Sequence, residues 1–137
     1  MKYEREGLSL AYDDLGDGPA VILIHGFPLN RQMWLPQKKT IPGAGFRLIT
    51  PDLRGFGESE PGTGACSMDT FADDLIALMD RLEIKRAVVG GMSMGDMCSS
   101  TCLPGIQTGS SPLASSLPAA GQTTRQARQS ARPWPMM

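Results

Sequence analysis

The chain has 137 residues, of which 41% are hydrophobic, and a formal net charge of -1, values that fit one globular domain at most. Near-neutral charge excludes a basic nucleic-acid binder, and no apolar run is long enough for an export signal or a membrane span. A cytoplasmic protein is the expectation. Three cysteines, Cys66, Cys98 and Cys102, make an odd number with no secretory context, which argues against a disulfide framework. Cys98 and Cys102 could share a helix face, but two thiols with no neighbouring histidine make a poor metal site.

In chain order, Leu8 to Asp13 alternates weakly and reads as a strand, closed by the turn Gly16-Asp17-Gly18-Pro19. Ala20 to Ile24 is a continuous apolar run ending at His25-Gly26, as expected of a parallel strand covered on both faces. The segment from Asn30 to Thr40 reads as a short helix, against which Pro36 counts. Phe46 to Thr50 is a further strand. Met68, Phe71, Leu75, Leu78, Met79 and Leu82 then recur at helical spacing, with Asp69, Asp73 and Asp74 near the start where the macrodipole favours acids. Ala87-Val88-Val89 is the last strand. Strand and helix in this rhythm predict an α/β fold, a mostly parallel sheet with flanking helices.

Directly after that last strand comes Gly91-Met92-Ser93-Met94-Gly95. Gly-x-Ser-x-Gly between a strand and a helix is the pattern of a nucleophile elbow, a turn so tight that its flanks admit only small residues. The other apolar strand ends in His25-Gly26-Phe27-Pro28, a glycine-bearing loop able to aim a backbone N–H at a developing oxyanion. The N–H of Met94, at a helix N-terminus, can supply a second.

Three segments together, Val21-Ile22-Leu23-Ile24-His25-Gly26-Phe27-Pro28, Pro51-Asp52-Leu53-Arg54-Gly55-Phe56-Gly57-Glu58-Ser59 and Gly90-Gly91-Met92-Ser93-Met94-Gly95, resemble the α/β-hydrolase superfamily. The branch they are most similar to contains small esterases and 3-oxoadipate enol-lactonase-like hydrolases. The resemblance covers about residues 8 to 95. It implies Ser93 as nucleophile, the backbone amides of Phe27 and Met94 as oxyanion hole, and His25, Gly26, Gly91 and Gly95 as support for the loop and elbow. It implies a structural role for Asp52, Arg54 and Ser59, and ester or lactone hydrolysis of a small-molecule substrate through an acyl-enzyme. Such a mechanism calls for no cofactor and no metal, and neither a nucleic acid nor a membrane is an expected partner. Nothing in the sequence sets an oligomeric state.

A serine hydroxyl needs a positioned base to remove its proton. The resemblance implies a histidine and an acid from a C-terminal half, whereas this chain has one histidine, His25, whose implied duty is to shape the oxyanion loop. His25 as a substitute base is the less favoured reading, because no third group is evident to orient its ring. The chain is therefore expected to be close to inactive, a truncated hydrolase. A non-catalytic remnant, or one half of a two-chain assembly, is the alternative. A phosphate-binding reading of the glycine-rich turn fails, since the spacing is not Gly-x-Gly-x-x-Gly and no Lys-Ser/Thr pair follows.

Two regions are expected. Residues 1–95 form the N-terminal part of a hydrolase domain, and 96–137 a low-complexity tail. From Asp96 onward the only charged residues are Asp96, Arg125, Arg128 and Arg132, amid Ser, Thr, Gln, Pro and Gly. On composition alone such a stretch is disordered. Reverse translation of Gly95 to Gly109, with synonymous codons chosen freely and read one base out of frame, spells Gly-Tyr-Val-Leu-Phe-Asn-Leu-Pro-Ser-Arg-Tyr-Pro-Asp-Arg. That resembles the family's helix after the elbow, so residues 96–137 read as out-of-frame translation. A genuine tail acquired for binding is the competing account.

Overall fold

The computed structural model describes residues 1–102. Five strands form one mixed sheet: β1 (Lys2–Arg5), β2 (Leu8–Leu15), β3 (Ala20–Ile24), β4 (Arg47–Pro51) and β5 (Ala87–Gly91), in the spatial order β1-β2-β4-β3-β5. The three apolar runs pair in parallel, β3 with β4 and β3 with β5, while β1–β2 and β2–β4 are antiparallel. Ile22 lies between Ile49 and Val89 in register, and all three are essentially inaccessible to solvent. This row is the centre of the core.

Three helices complete the fold: α1 (Leu35–Thr40), α2 (Met68–Arg81) and α3 (Met94–Cys102). A 3₁₀ turn, Arg31–Trp34, precedes α1, with Asn30 capping it by accepting the Gln32 N–H at 2.9 Å. Pro36 is accommodated because it falls in the first turn of α1, where its missing N–H costs no hydrogen bond. Helix α2 starts at a capping box in which Ser67 and Thr70 satisfy one another's N–H groups. Its buried stripe, Phe71, Ala72, Leu75 and Leu78, packs with Cys98 of α3 onto Leu10, Tyr12, Ile22, Ile24 and Val89.

Two features depart from expectation. Of the three aspartates placed near the start of α2, only Asp69 lies in its first turn. Asp74 is buried, and its carboxylate takes Arg5 at 2.8 Å and Arg54 at 2.7 Å, so it ties α2 to β1 and to the loop after β4. Helix α3 also continues past the compositional boundary at residue 96, and Cys98 and Ser99 within it are buried. The remainder of the expected tail, 103–137, lies outside the described residues. No helix among the described residues is long and apolar enough to cross a membrane.

Candidate functional site

The pairing of β3 with β5 decides the site, because it brings the two glycine-bearing loops to the same end of the sheet. Ile24 and Gly91 are cross-strand partners, and the Met92 N–H donates to the Ile24 carbonyl at 3.2 Å. One loop then leaves at His25 and the other turns at Ser93. Ser93 is exposed and has φ +53°, a left-handed conformation that a non-glycine residue adopts only at a cost of about 1–3 kcal/mol. The turn is closed by Gly95 N–H donating to Met92 O at 3.0 Å and Asp96 N–H donating to Ser93 O at 2.9 Å. Met94 is the first residue of α3, so its N–H is among those a helix leaves without an internal partner.

The glycines follow from this crowding. A Cβ on Gly91 would run into the backbone of Gly95 and Asp96, and one on Gly95 into the carbonyl oxygens of Ile24 and His25. Gly26 is nearly as confined, with Met92 O 2.8 Å from where its Cβ would sit. Gly95→Ala is accordingly expected to destabilise the chain by about 3 kcal/mol, the upper end of the range for overpacking, since the obstacle is backbone. Urea unfolding of the variant beside the parent measures it, and a cost below about 1 kcal/mol would show that the turn has slack.

His25 is wholly buried at the end of β3. Its Nε2 accepts the Leu53 N–H at 3.0 Å, so Nε2 carries no proton; Nδ1 therefore holds the hydrogen and donates to Gly26 O at 3.1 Å. Both ring nitrogens are committed to backbone. Burial pushes the imidazole below its ordinary range, against smaller opposing pulls from the Gly26 carbonyl and the Asp52 carboxylate. A folded-state value below the unfolded one means that the unfolded chain binds the extra proton first. The stabilisation is thus complete above the unfolded value, near pH 6.5, and is lost as pH falls from there. The unfolding free energy from urea titrations is expected to drop between pH 7 and pH 5, by at most about 1.4 kcal/mol per pH unit. His25→Asn should flatten that slope, and an unchanged slope would clear His25 of responsibility.

Phe27 follows in the loop. The residue is 68% exposed, yet its ring stands edge-on to Phe56 at 6.0 Å, and Phe56 in turn meets His25 at 5.3 Å and Phe71 at 6.4 Å. The structure therefore gathers all seven residues singled out in the sequence, His25, Gly26, Phe27, Gly91, Ser93, Met94 and Gly95, into two adjoining turns. Asp52, Arg54 and Ser59 lie in the loop that buttresses them: Ser59 Oγ donates to Asp52 O at 2.8 Å and accepts the Ala11 N–H at 2.8 Å. A polar cleft lined by Arg5, Arg54, Cys66 and Thr70 includes neither Phe27 nor Ser93.

Sequence reasoning missed Arg31. It is 6% exposed, and its guanidinium meets Asp52, Glu58 at 2.8 Å and Asp13 at 3.2 Å. A lone arginine before a short helix looks like any surface charge, and its partners are 18 to 27 residues away. Among the described residues no cluster of His, Cys, Asp and Glu is arranged to hold a metal ion.

A family model described as the α/β hydrolase fold matches residues 19–103, more than half of the chain. The chain belongs to that family. A non-heme chloroperoxidase of Kitasatospora aureofaciens is 42% identical over 91 residues, which are 66% of this chain and 33% of that protein. Among solved structures, a thermophilic esterase from Thermogutta terrifontis superposes with a TM-score of 0.62 at 45% identity, covering 69% of this chain and 35% of its own. An enol-lactonase from Burkholderia xenovorans gives 0.65 at 31%, covering 69% and 38%. Epoxide hydrolases also appear among the relatives, one from Caballeronia sordidicola at 41% identity. The α/β-hydrolase chain described here spans about a third of the length of the curated relatives it matches.

Proposed function

We propose that Ser93 is the nucleophile of an acyl-transfer site for small carboxylic esters or lactones, with the backbone amides of Phe27 and Met94 as its oxyanion hole. The observation that carries this is the left-handed φ of +53° at an exposed serine between β5 and α3. Strain of that kind persists only where the surroundings enforce it, and here the backbone packs so closely at Gly91 and Gly95 that neither position has room for a Cβ. The helix N-terminus at Met94 favours negative charge beside the hydroxyl. Neighbours named as an esterase and an enol-lactonase point to the same chemistry, whereas those named as epoxide hydrolases or peroxidases share the scaffold and warn that fold alone does not fix the reaction. The mechanism uses no metal and no cofactor, and the setting is cytoplasmic.

The general base and its acid partner come from outside these 137 residues, so the chain alone turns over no ester through Ser93. On this reading residues 96–137 are translated one base out of frame. The coding DNA across Gly95 tests that: an uninterrupted hydrolase frame one base away is expected, and its protein product should cleave a nitrophenyl ester while its Ser93→Ala variant does not. A second reading, that the tail sequence is genuine, is favoured by the family match running on to residue 103 and by Cys98 and Ser99 being buried in α3. Finding no shifted frame in the DNA would establish it, and the chain would then be one half of a two-chain assembly or a non-catalytic relative.

A further inference from the structure

We infer that Asp52 is a positioning residue for the oxyanion amide, acting through the main-chain N–H of Arg31; the inference rests on the reading of Phe27 as an oxyanion donor. Such a donor works only within about 2.7–3.1 Å of the charge it meets, and a misplacement of about 1 Å can cost about a hundredfold in rate. Phe27 lies in a connecting loop rather than a regular element, so something else must hold it. The loop from His25 to Arg31 is pinned at each end by one neighbour, the loop from Asp52 to Ser59. At its start the Leu53 N–H donates to His25 Nε2 at 3.0 Å. At its end the Arg31 N–H donates to Asp52 Oδ1 at 2.7 Å. Between the pins, the Leu29 N–H donates to Gly26 O at 2.8 Å and the Phe27 ring rests on Phe56.

The carboxylate of Asp52 does more than pair with a guanidinium. Its side chain is 0% exposed, and besides the Arg31 head group it accepts two main-chain N–H groups, that of Arg31 and that of Glu58 at 2.9 Å. Charge neutralisation alone requires neither. Together they fix the end of the Phe27 loop relative to the loop after β4, and Gly57 packs so tightly on the carboxylate that any side chain there would displace it.

Amide hydrogen exchange and ¹⁵N NMR on the 137-residue chain separate positioning from plain stabilisation. Asp52→Asn should lower protection at Leu29 and Arg31 by about tenfold or more beyond the common factor seen at Ile22 and Ile49, and should shift or broaden the Phe27 resonance. Gly57→Ala, which moves the carboxylate without changing its charge, should give the same local signature. Arg31→Lys keeps the main-chain N–H, so it should lower protection throughout while leaving Leu29 and Phe27 no worse than the core. Asp74→Asn, at a buried carboxylate elsewhere, should likewise act globally. Loss at Leu29 and Arg31 no greater than at Ile22, or a Phe27 signal released as much by Arg31→Lys as by Asp52→Asn, overturns the inference. If Asp52→Asn does not fold, Gly57→Ala and Arg31→Lys decide the matter by the same comparison. None of these readouts depends on Ser93 being a nucleophile, so failure of that assignment shows in the ester assay and not here.

Discussion

Purified chain and its Ser93→Ala variant are expected to hydrolyse a short-chain nitrophenyl ester at indistinguishable rates. The reason lies in His25, the sole histidine of the sequence. A general base must offer a free nitrogen to the serine hydroxyl, and this ring has none to offer: Nε2 is taken by Leu53 N–H and Nδ1 faces Gly26 O. Taking the serine proton would also create a buried imidazolium at a site where burial already disfavours it. In an unrelated serine hydrolase, removal of the base cost on the order of a millionfold in turnover, with a remnant of catalysis left to the oxyanion hole. That remnant does not need the serine hydroxyl, so it leaves the chain and its variant alike. The assay is run on folded, homogeneous protein at several pH values above 7, where the exposed Ser93 has its best chance without help. Rapid cleavage abolished by Ser93→Ala would mean that some group among these residues does serve as base, and the proposed division of the active site would be abandoned.

How much of this could be read in advance depends on how local each feature is. The sharp turn at Ser93 was legible because strand, Gly-x-Ser-x-Gly and helix follow one another within 16 residues, Ala87 to Cys102, and each carries its own sequence mark. The parallel direction of the strands ending at His25 and Ser93 was legible too, since continuous apolar runs mark parallel strands. β1 was not, because Lys-Tyr-Glu-Arg at a sheet edge buries only Tyr3 and looks like a charged terminus. Nor was the antiparallel attachment of β2 to β4, which pairs Tyr12 with Pro51 across a separation that no short-range pattern records. The extent of α3 escaped a compositional reading because small residues such as Cys98 and Ser99, which do not mark a core by composition, are buried there. The acids were hardest to place. Asp52 and Asp74 are as hydrophilic as Asp17, and only the fold reveals that the first two are buried on arginines.

That burial carries the largest expected loss of stability. Arg31→Ala should destabilise the chain by about 3–5 kcal/mol, the range for removing one partner of a buried ion pair. Its guanidinium answers Asp52, Asp13 and Glu58 together, so truncation leaves a fully buried carboxylate to be satisfied by two main-chain N–H groups alone. Lys38 reaches Asp13 and would still compensate that acid, whose carboxyl is held below its ordinary range: burial opposes this but Lys38 and Arg31 outweigh it. Among the described residues nothing comparable replaces Arg31 at Asp52. Because a domain's whole stability is only about 5–15 kcal/mol, the variant should unfold at a much lower urea concentration or fail to accumulate. Arg31→Lys, which keeps a charge but not the planar fork, should fall between it and the parent. Glu58→Gln is the contrast, since that side chain is 61% exposed and its share of the cluster is screened by water; a change near zero is expected there. Equal costs for Arg31→Ala and Glu58→Gln would mean that the buried ion pair adds nothing to stability, while the main-chain N–H groups of Arg31 and Glu58 would still hold the Asp52 carboxylate.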